Sequence, residues 1–457
     1  MAAKLLPTRG LTRDLTAGPA IAVVVGTVIG TGIFLVPAEM MQAAGKPWMV
    51  YLAWITGGVL SFSGALTYAE LGAMQPEAGG EYVYMRDGYG PLGGFLYAWT
   101  TFLISKPGSI ATIATGIVRI LGTFGVLSFM VQAKPGHALA PSGRLLAILL
   151  TILVSLLNYA GVKRAGIFQV IFTALKIGLV FAVIFIAFSW HGGHWSNFLT
   201  DFAAAKGGLS GFMIALVAAL WAYDGWNNLN MVAGEIRRPE RNVPLALITG
   251  VGLIALLYVA VNAAVQYVMP SAMIAASSRP AADVVLTVLG TSAASAIAAL
   301  MALQMMATLN GAIMSGARVP FAAAADGYFF PWLAHVDSRF STPSAALLWQ
   351  QSLVILLILF GGNFQQLFSL TLFAEWLFYM LTATTIFIFR VRQPAKERPY
   401  KTWGYPAVPA LFVMASTFLL FSTFAANLKN SALGTLVILA GIPAFYFFAR
   451  HPRKIVS

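Results

Sequence analysis

The stretch Val24 to Phe34, VVGTVIGTGIF, decides how this chain is read. It lies inside an apolar run of helical length, yet it places glycine at 26, 30 and 32 and threonine at 27 and 31. A glycine costs a helix interior up to about 1 kcal/mol relative to alanine, and β-branched Val28, Ile29 and Thr31 add smaller penalties. The whole run, 15–43, would make a helix about 43 Å long against a hydrocarbon layer about 30 Å thick, so it can break and still cross. The break is expected at Ile29-Gly30-Thr31-Gly32.

The rest of the chain has the composition of a membrane protein. Of 457 residues, 59% are hydrophobic and 9% charged, and the mean hydropathy is +0.80. Apolar runs of spanning length follow one another without a strand-like alternation, which predicts an all-α integral membrane protein. The first run has no small-x-small cleavage site and is followed by many others, so it reads as a span rather than a removable signal. There are no cysteines, which excludes disulfides, thiolate metal sites and cysteine nucleophiles.

Twelve spans are expected, at 15–43, 48–74, 92–122, 143–162, 166–189, 209–234, 243–268, 284–316, 343–361, 365–390, 404–427 and 431–449. With both termini placed in the cytoplasm, the inner segments hold 19 Lys and Arg and the outer ones 7. That bias sets the orientation by the positive-inside rule. It also accounts for the net charge of +13 without a nucleic-acid partner. No soluble domain interrupts the spans, so 1–457 is expected to be one membrane domain: an N-terminus 1–14, five spans in 15–190, five in 209–390, two in 404–449, and a C-terminus 450–457.

A second anomaly falls in the sixth span, where Leu220 to Asn230, LWAYDGWNNLN, brings an acid, a glycine and three asparagines into an apolar segment. An aspartate near mid-bilayer costs about 2.5–3.5 kcal/mol on insertion scales and needs a partner or a watery cavity. Irregular backbone survives at membrane depth only where it is buried in protein or lines a cavity. The two broken spans begin successive blocks of five and therefore run in opposite directions. Paired discontinuous helices at matching positions of inverted repeats point to a transporter site near the midplane. A half-helix starting at Thr31-Gly32 offers N–H groups and a positive dipole end to a carboxylate. Carbonyls around Val28, Ile29, Trp221 and Ala222 suit an ammonium group. An α-amino acid carries both. The competing reading of the glycines is close helix packing.

These residues resemble a known family, the amino acid–polyamine–organocation superfamily, and within it the L-type amino acid transporter group. GTVIGTGIF resembles its unwound first span. TYAELGAMQPEAGGEYVYMRDGYG, Thr67 to Gly90, is similar to its second-span end and first loop, and LWAYDGWNNLNMVAGEIRRPERNVPLA, Leu220 to Ala246, to its sixth span and the loop beyond. EWLFYMLTATTIFIFRVRQPAKERPYKTWGYPAVP, Glu375 to Pro409, resembles its tenth span and following loop. The resemblance implies the LeuT fold: a 5+5 inverted repeat and twelve transmembrane helices, with spans 1 and 6 discontinuous. It further implies sodium-independent alternating-access transport of an L-amino acid, by exchange or proton-linked uptake, with no cofactor. It puts Val28, Ile29, Gly30, Thr31, Gly32, Trp221, Ala222, Asp224 and Asn227 at the substrate, with Thr31 and Gly32 on its carboxylate and Trp221 as an aromatic gate. Animal relatives join an accessory subunit through a cysteine, so a chain without cysteine is expected to work without a disulfide-linked subunit. A cationic amino acid or polyamine transporter of the same fold is the alternative. A channel or a membrane-embedded enzyme is the reading outside that class, and neither repeated pore rings nor a catalytic cluster supports it.

Asp224 is open between two roles, an N-cap for the second half of span 6 and a selector for cationic side chains. For Asn227, Asn228 and Asn230, interhelical hydrogen bonding competes with a place at the site. Lys176, in TALKIGLV of the fifth span, needs carbonyls or a watery cavity around its ammonium. The resemblance places it beside the first-span break, where sodium-coupled members of the fold hold sodium. Lys106 before Pro107 reads as structural or vestibule-facing, and Glu375 as an outer-vestibule residue or half of a buried pair with a base. His191 and His194 have no further ligands near them in sequence, so no metal site is expected.

Overall fold

The computed structural model describes residues 10–30, 32–122, 125–131, 139–277, 279–360, 364–426 and 428–449. Span 1 comes in two halves, Ala17–Val28 (1a) and Gly32–Ala44 (1b). Span 2 is Pro47–Met74, span 3 Pro91–Leu121, span 4 Pro141–Tyr159 and span 5 Val162–Phe188. Span 6 is again divided, into Gly208–Ala222 (6a) and the single turn Asn228–Met231 (6b). Span 7 is Pro239–Val268, span 8 Thr291–Gly316, span 9 Ser344–Phe360, span 10 Phe364–Arg392, span 11 Ala407–Ala426 and span 12 Leu428–Ala449. Among the described residues, nine helices are long and apolar enough to cross a membrane whole. The two divided spans and the shorter span 9 bring the number to twelve.

Span 1a stops because the Ile29 backbone turns extended (φ −69°, ψ 90°) immediately after Val28. Span 6a gives way to a turn at 223–227, where Gly225 takes φ +108°, a value that L side chains rarely adopt. Span 8 corrects its expected start at 284. Gly290 at φ +85° separates a short helix, Pro280–Leu289, from the span proper.

Spans 1, 2, 6 and 7 pack together, and spans 3, 4, 8 and 9 form a second layer, with span 5 lying against both span 1a and span 8. The Gly32 position approaches Ala222 so closely that a Cβ there would stand 3.1 Å from the Ala222 Cα and Cβ. The two breaks therefore face each other across the bundle.

At the face that carries the N-terminus, the bundle is fastened by hydrogen bonds and ion pairs. Leu15 N–H donates to Glu235 O (2.9 Å) and Arg237 N–H to Leu15 O (2.8 Å), tying the start of span 1 to the segment after span 6. Arg318 and Glu235, both fully buried, form a two-pronged pair at 2.7 and 3.0 Å. Glu70, at the end of span 2, takes Arg390 at 2.9 and 2.7 Å and the Thr402 N–H at 2.7 Å. These arginines sit in segments that the charge pattern assigns to one face, but Arg318 is not solvated there.

Candidate functional site

A cavity of about 160 Å³ opens between the two breaks. Val28, Gly30 and Gly32 from span 1, and Trp221, Ala222, Asp224 and Asn227 from span 6, contribute to its wall. It continues along span 3 from Lys106 to Gly116, away from the N-terminal face, which the ion pairs close. Ile29 is not on the wall; its side chain is fully buried in the surrounding core. Thr31 lies outside the described residues.

The three glycines have different physical reasons. A Cβ on Gly26 would fall 2.3 Å from Gln169 Nε2 and 2.4 Å from Thr173 Oγ1, so Gly26 serves close packing of span 1a on span 5. Gly30 has nothing nearer than Val28 O at 3.8 Å. Gly32 allows the approach to Ala222 and opens span 1b, whose first-turn N–H groups have no acceptor within the helix.

Polar side chains bind the two breaks to each other. Thr27 Oγ1 reaches Gly225 O at 3.0 Å. The Tyr258 hydroxyl, from span 7, lies 3.1 Å from Val28 O and 2.8 Å from Ala222 O, and its one hydrogen goes to either carbonyl. The sequence reading missed Tyr258, although Tyr258, Asn262 and Gln266 recur every four residues along span 7, a polar stripe on one helical face. The Val28 and Ala222 carbonyls expected to be open to a ligand thus already have a donor at hand, with further lone pairs to spare.

Lys176 is fully buried behind this wall. Its Nζ donates to Gly26 O at 2.7 Å and to Thr308 Oγ1 at 2.9 Å, and Thr308 Oγ1 donates to the same carbonyl at 3.0 Å. The head group thereby joins spans 5, 1a and 8 instead of snorkelling to an interface.

Asp224 does not cap a helix. The residue preceding span 6b is Asn227, which makes no side-chain cap bond, because the turn at 223–227 carries the Asp224 carboxylate towards span 10. There it accepts from Tyr379 OH at 2.8 Å. Glu375 lines the same cavity as Asp224 and Lys106 and accepts from Ser105 Oγ at 3.0 Å. Asn227 bridges Tyr379 OH (2.8 Å) and Glu81 of the first loop helix, Glu81–Tyr89. Burial pushes the Glu81 carboxyl up, and donation from Asn227 opposes that shift.

Lys106 Nζ donates to Asn228 Oδ1 at 2.5 Å, which also accepts from Ser315 Oγ at 2.8 Å, while Asn228 Nδ2 holds Gly225 O at 2.9 Å. Asn228 thus makes interhelical bonds and lines the cavity at once. Asn230, by contrast, is fully buried, with Nδ2 donating to Tyr68 O and Tyr84 OH. Lys106 is turned inward by a five-residue π-helical segment, Thr101–Ser105, just ahead of Pro107. A π-bulge inserts a residue into the helical register.

A break in each of two antiparallel spans, a cavity between them and a buried lysine behind the first break give a carrier's geometry. A family model described as amino acid permease matches residues 19–448. The chain belongs to the amino acid permease family. The serine/threonine exchanger of Bacillus subtilis is 29% identical over 442 residues, 96% of this permease and 97% of that protein. Human b(0,+)-type amino acid transporter 1 is 30% identical over 447 residues, 97% and 89% of the two chains. The human cystine/glutamate transporter is 28% identical over 446, 97% and 87%. This permease is accordingly a multi-pass secondary transporter of amino acids with the LeuT-type arrangement of twelve spans.

Proposed function

We propose that the permease is a sodium-independent carrier of L-amino acids that works by exchange and alternating access in the cell membrane, both termini cytoplasmic. The observation that carries this reading is the cavity bounded by both breaks. Its volume, about 160 Å³, is below the roughly 300–1,000 Å³ of drug-sized pockets and suits one small zwitterion. The substrate carboxylate sits at the N–H groups of span 1b, from Thr31 and Gly32 onward, and the ammonium at the carbonyl ends of spans 1a and 6a, near Val28, Ile29 and Ala222. Trp221 covers it from the open side. Asp224 and Asn227 meet the substrate's side chain or its ammonium.

Sodium independence rests on Lys176, whose Nζ already donates to Gly26 O. A sodium ion would have to share that carbonyl with it. The chain's lack of cysteine leaves no disulfide route to an accessory subunit, and the reading includes no chemical step. The orientation rests on the crowding of Lys and Arg in one set of loops.

Counterflow of labelled amino acids in proteoliposomes, with sodium replaced by choline, tests the reading. The expected result is stereoselective, saturable uptake driven by internal unlabelled amino acid and indifferent to sodium. Competition by the amino acid, but far weaker competition by its amide or decarboxylated amine, is expected from the carboxylate at the helix end. Uptake that requires a sodium gradient, or equal competition by the amine, would overturn it.

A further inference from the structure

Glu81 is fully buried at the first turn of the loop helix, Glu81–Tyr89, where the chain between spans 2 and 3 lies against span 6b. The contact there is backbone to backbone. Gly79 N–H donates to Met231 O at 2.9 Å, and a Cβ on Gly80 would stand 2.8 Å from Met231 N. Just beyond 6b, a Cβ on Gly234 would stand 2.7 Å from Ala78 N. The Glu81 side chain is thus held in a seam that water enters only when the loop and 6b part. Its carboxyl has two oxygens and one donor: Asn227 Nδ2 bonds Oε1, while Oε2, also buried, has no hydrogen-bond partner. Among the described residues Glu81 makes no ion pair. An ionised carboxylate presents about four acceptor sites, and an unpaired buried charge is among the costliest groups a fold can hold. The neutral acid asks far less of the same surroundings.

We propose that Glu81 is a proton-binding site of the inner gate: the gate closes with a proton on this carboxyl, and opening releases that proton to the cytoplasm. The inference rests on the alternating-access reading and adds to it a control by cytoplasmic pH. The ionisable groups facing Glu81 are Tyr97 and Lys106 from span 3, Tyr68 from span 2, Tyr379 from span 10 and Tyr84 from its own helix. Lys106 is the one base among them, and its Nζ is taken up by Asn228 Oδ1. Burial is the largest influence on the carboxyl and holds it above the ordinary range; the bond from Asn227 works against that shift, as does the start of the helix, whose dipole favours an anion. The same Asn227 lines the substrate cavity, and its Oδ1 accepts from Tyr379 OH at 2.8 Å. Glu81 therefore stands one side chain away from the substrate.

The step is a single proton transfer. When the loop and 6b separate, water enters the seam, the Glu81 O–H bond breaks and the proton passes to that water. When they close, the carboxylate takes a proton back from the same side. No proton crosses the membrane in a full exchange cycle, so the carrier remains an exchanger while its inner gate responds to pH. The closed gate binds more protons than the open one. Its advantage is complete below the open-state pKa, near the ordinary glutamate value of about 4.3, and is lost as pH rises through the raised closed-state value. Between the two, the ratio of open to closed gates rises up to about tenfold per pH unit.

The chain has no cysteine, so one introduced thiol reports on one place. Met231, buried in 6b against the first loop, is replaced by cysteine, and the purified full chain is labelled with a hydrophilic maleimide between about pH 5 and pH 8, the range over which the linkage acts. Val391→Cys, at a position 78% exposed near the inner end of span 10, gives the pH dependence of the labelling reaction itself. The expected result is that Met231→Cys labelling, divided by that of Val391→Cys, rises with pH by up to about tenfold per unit, and that Glu81→Gln added to Met231→Cys removes the rise. Asn227→Ala takes away the donor that opposes the raised proton affinity, so it is expected to move the rise to higher pH. A ratio that is flat or falls with pH, a rise that survives Glu81→Gln, or a rise that Asn227→Ala leaves in place would overturn the proposal. The Asn227→Ala measurement decides the matter if Glu81→Gln does not fold. Labelling is read without substrate, so this proposal and the transport reading fail separately: absence of counterflow overturns the second and a flat labelling ratio the first.

Discussion

Replacing Lys176 with alanine removes the cation that joins three spans behind the first break. Its Nζ makes two hydrogen bonds, to Gly26 O at 2.7 Å and to Thr308 Oγ1 at 2.9 Å. A hydrogen bond to a charged group is worth about 1.5–3 kcal/mol net, so the pair contributes about 3–6 kcal/mol to holding the end of span 1a. The alanine variant also avoids burying a charge, which offsets part of that loss, and Thr308 retains its own bond to Gly26 O at 3.0 Å. A residual loss of about 3 kcal/mol in the transport-competent pose corresponds to roughly a hundredfold, at about 1.4 kcal/mol per factor of ten. The expected outcome is a monodisperse protein on size-exclusion chromatography whose counterflow rate falls by about two orders of magnitude. Lys176→Arg is expected to fail as well, because a wider head group has no room at a fully buried position. A folded Lys176→Ala protein exchanging at the wild-type rate would show that the ammonium does not hold span 1a in its working position.

Gly26→Ala places a methyl group 2.3–2.4 Å from Gln169 and Thr173 and is expected to destabilise by about 1–3 kcal/mol through overpacking, read as a lower melting temperature in detergent. Gly30→Ala meets nothing closer than 3.8 Å and should melt like the wild type, so equal melting of the two variants would contradict the separate roles given to these glycines. Arg318→Ala strips Glu235 of its buried partner and is expected to cost about 3–5 kcal/mol; unchanged thermal stability would count against the ion pair as a fastening of the N-terminal face. Tyr258→Phe leaves either Val28 O or Ala222 O without its donor, a loss of about 1–3 kcal/mol seen in stability and in substrate affinity, and a variant unchanged in both would show that the hydroxyl does not couple the breaks.

The two broken spans could be read from the sequence because helix breaking is a local property. Glycine and β-branched residues within one turn lower helix stability wherever the chain folds, so the break at Ile29 to Gly32 and the turn around Gly225 follow from a few neighbouring residues. Span number and order follow in the same way, from the length of apolar runs measured against a bilayer. Lys176 was equally conspicuous, since a lone lysine head group far from both ends of an apolar helix must find carbonyls or water.

What the side chains at the breaks touch was decided by tertiary structure. Asp224 finds Tyr379 across 155 residues of chain and Lys106 finds Asn228 across 122, and no local pattern specifies such partners. Asp224 at a turn reads as a cap because caps are local. Its actual neighbours come from the packing of span 10 against spans 3 and 6, and that packing puts Glu375 on the same cavity wall as Asp224 and Lys106. Gly26 and Gly30 are indistinguishable in composition, yet one faces the side chains of span 5 and the other open space. Local backbone energetics determines where this chain bends, while the apposition of helices far apart in sequence determines which charges meet at the bend, because electrostatic partnership depends on distance in space and not on distance along the chain.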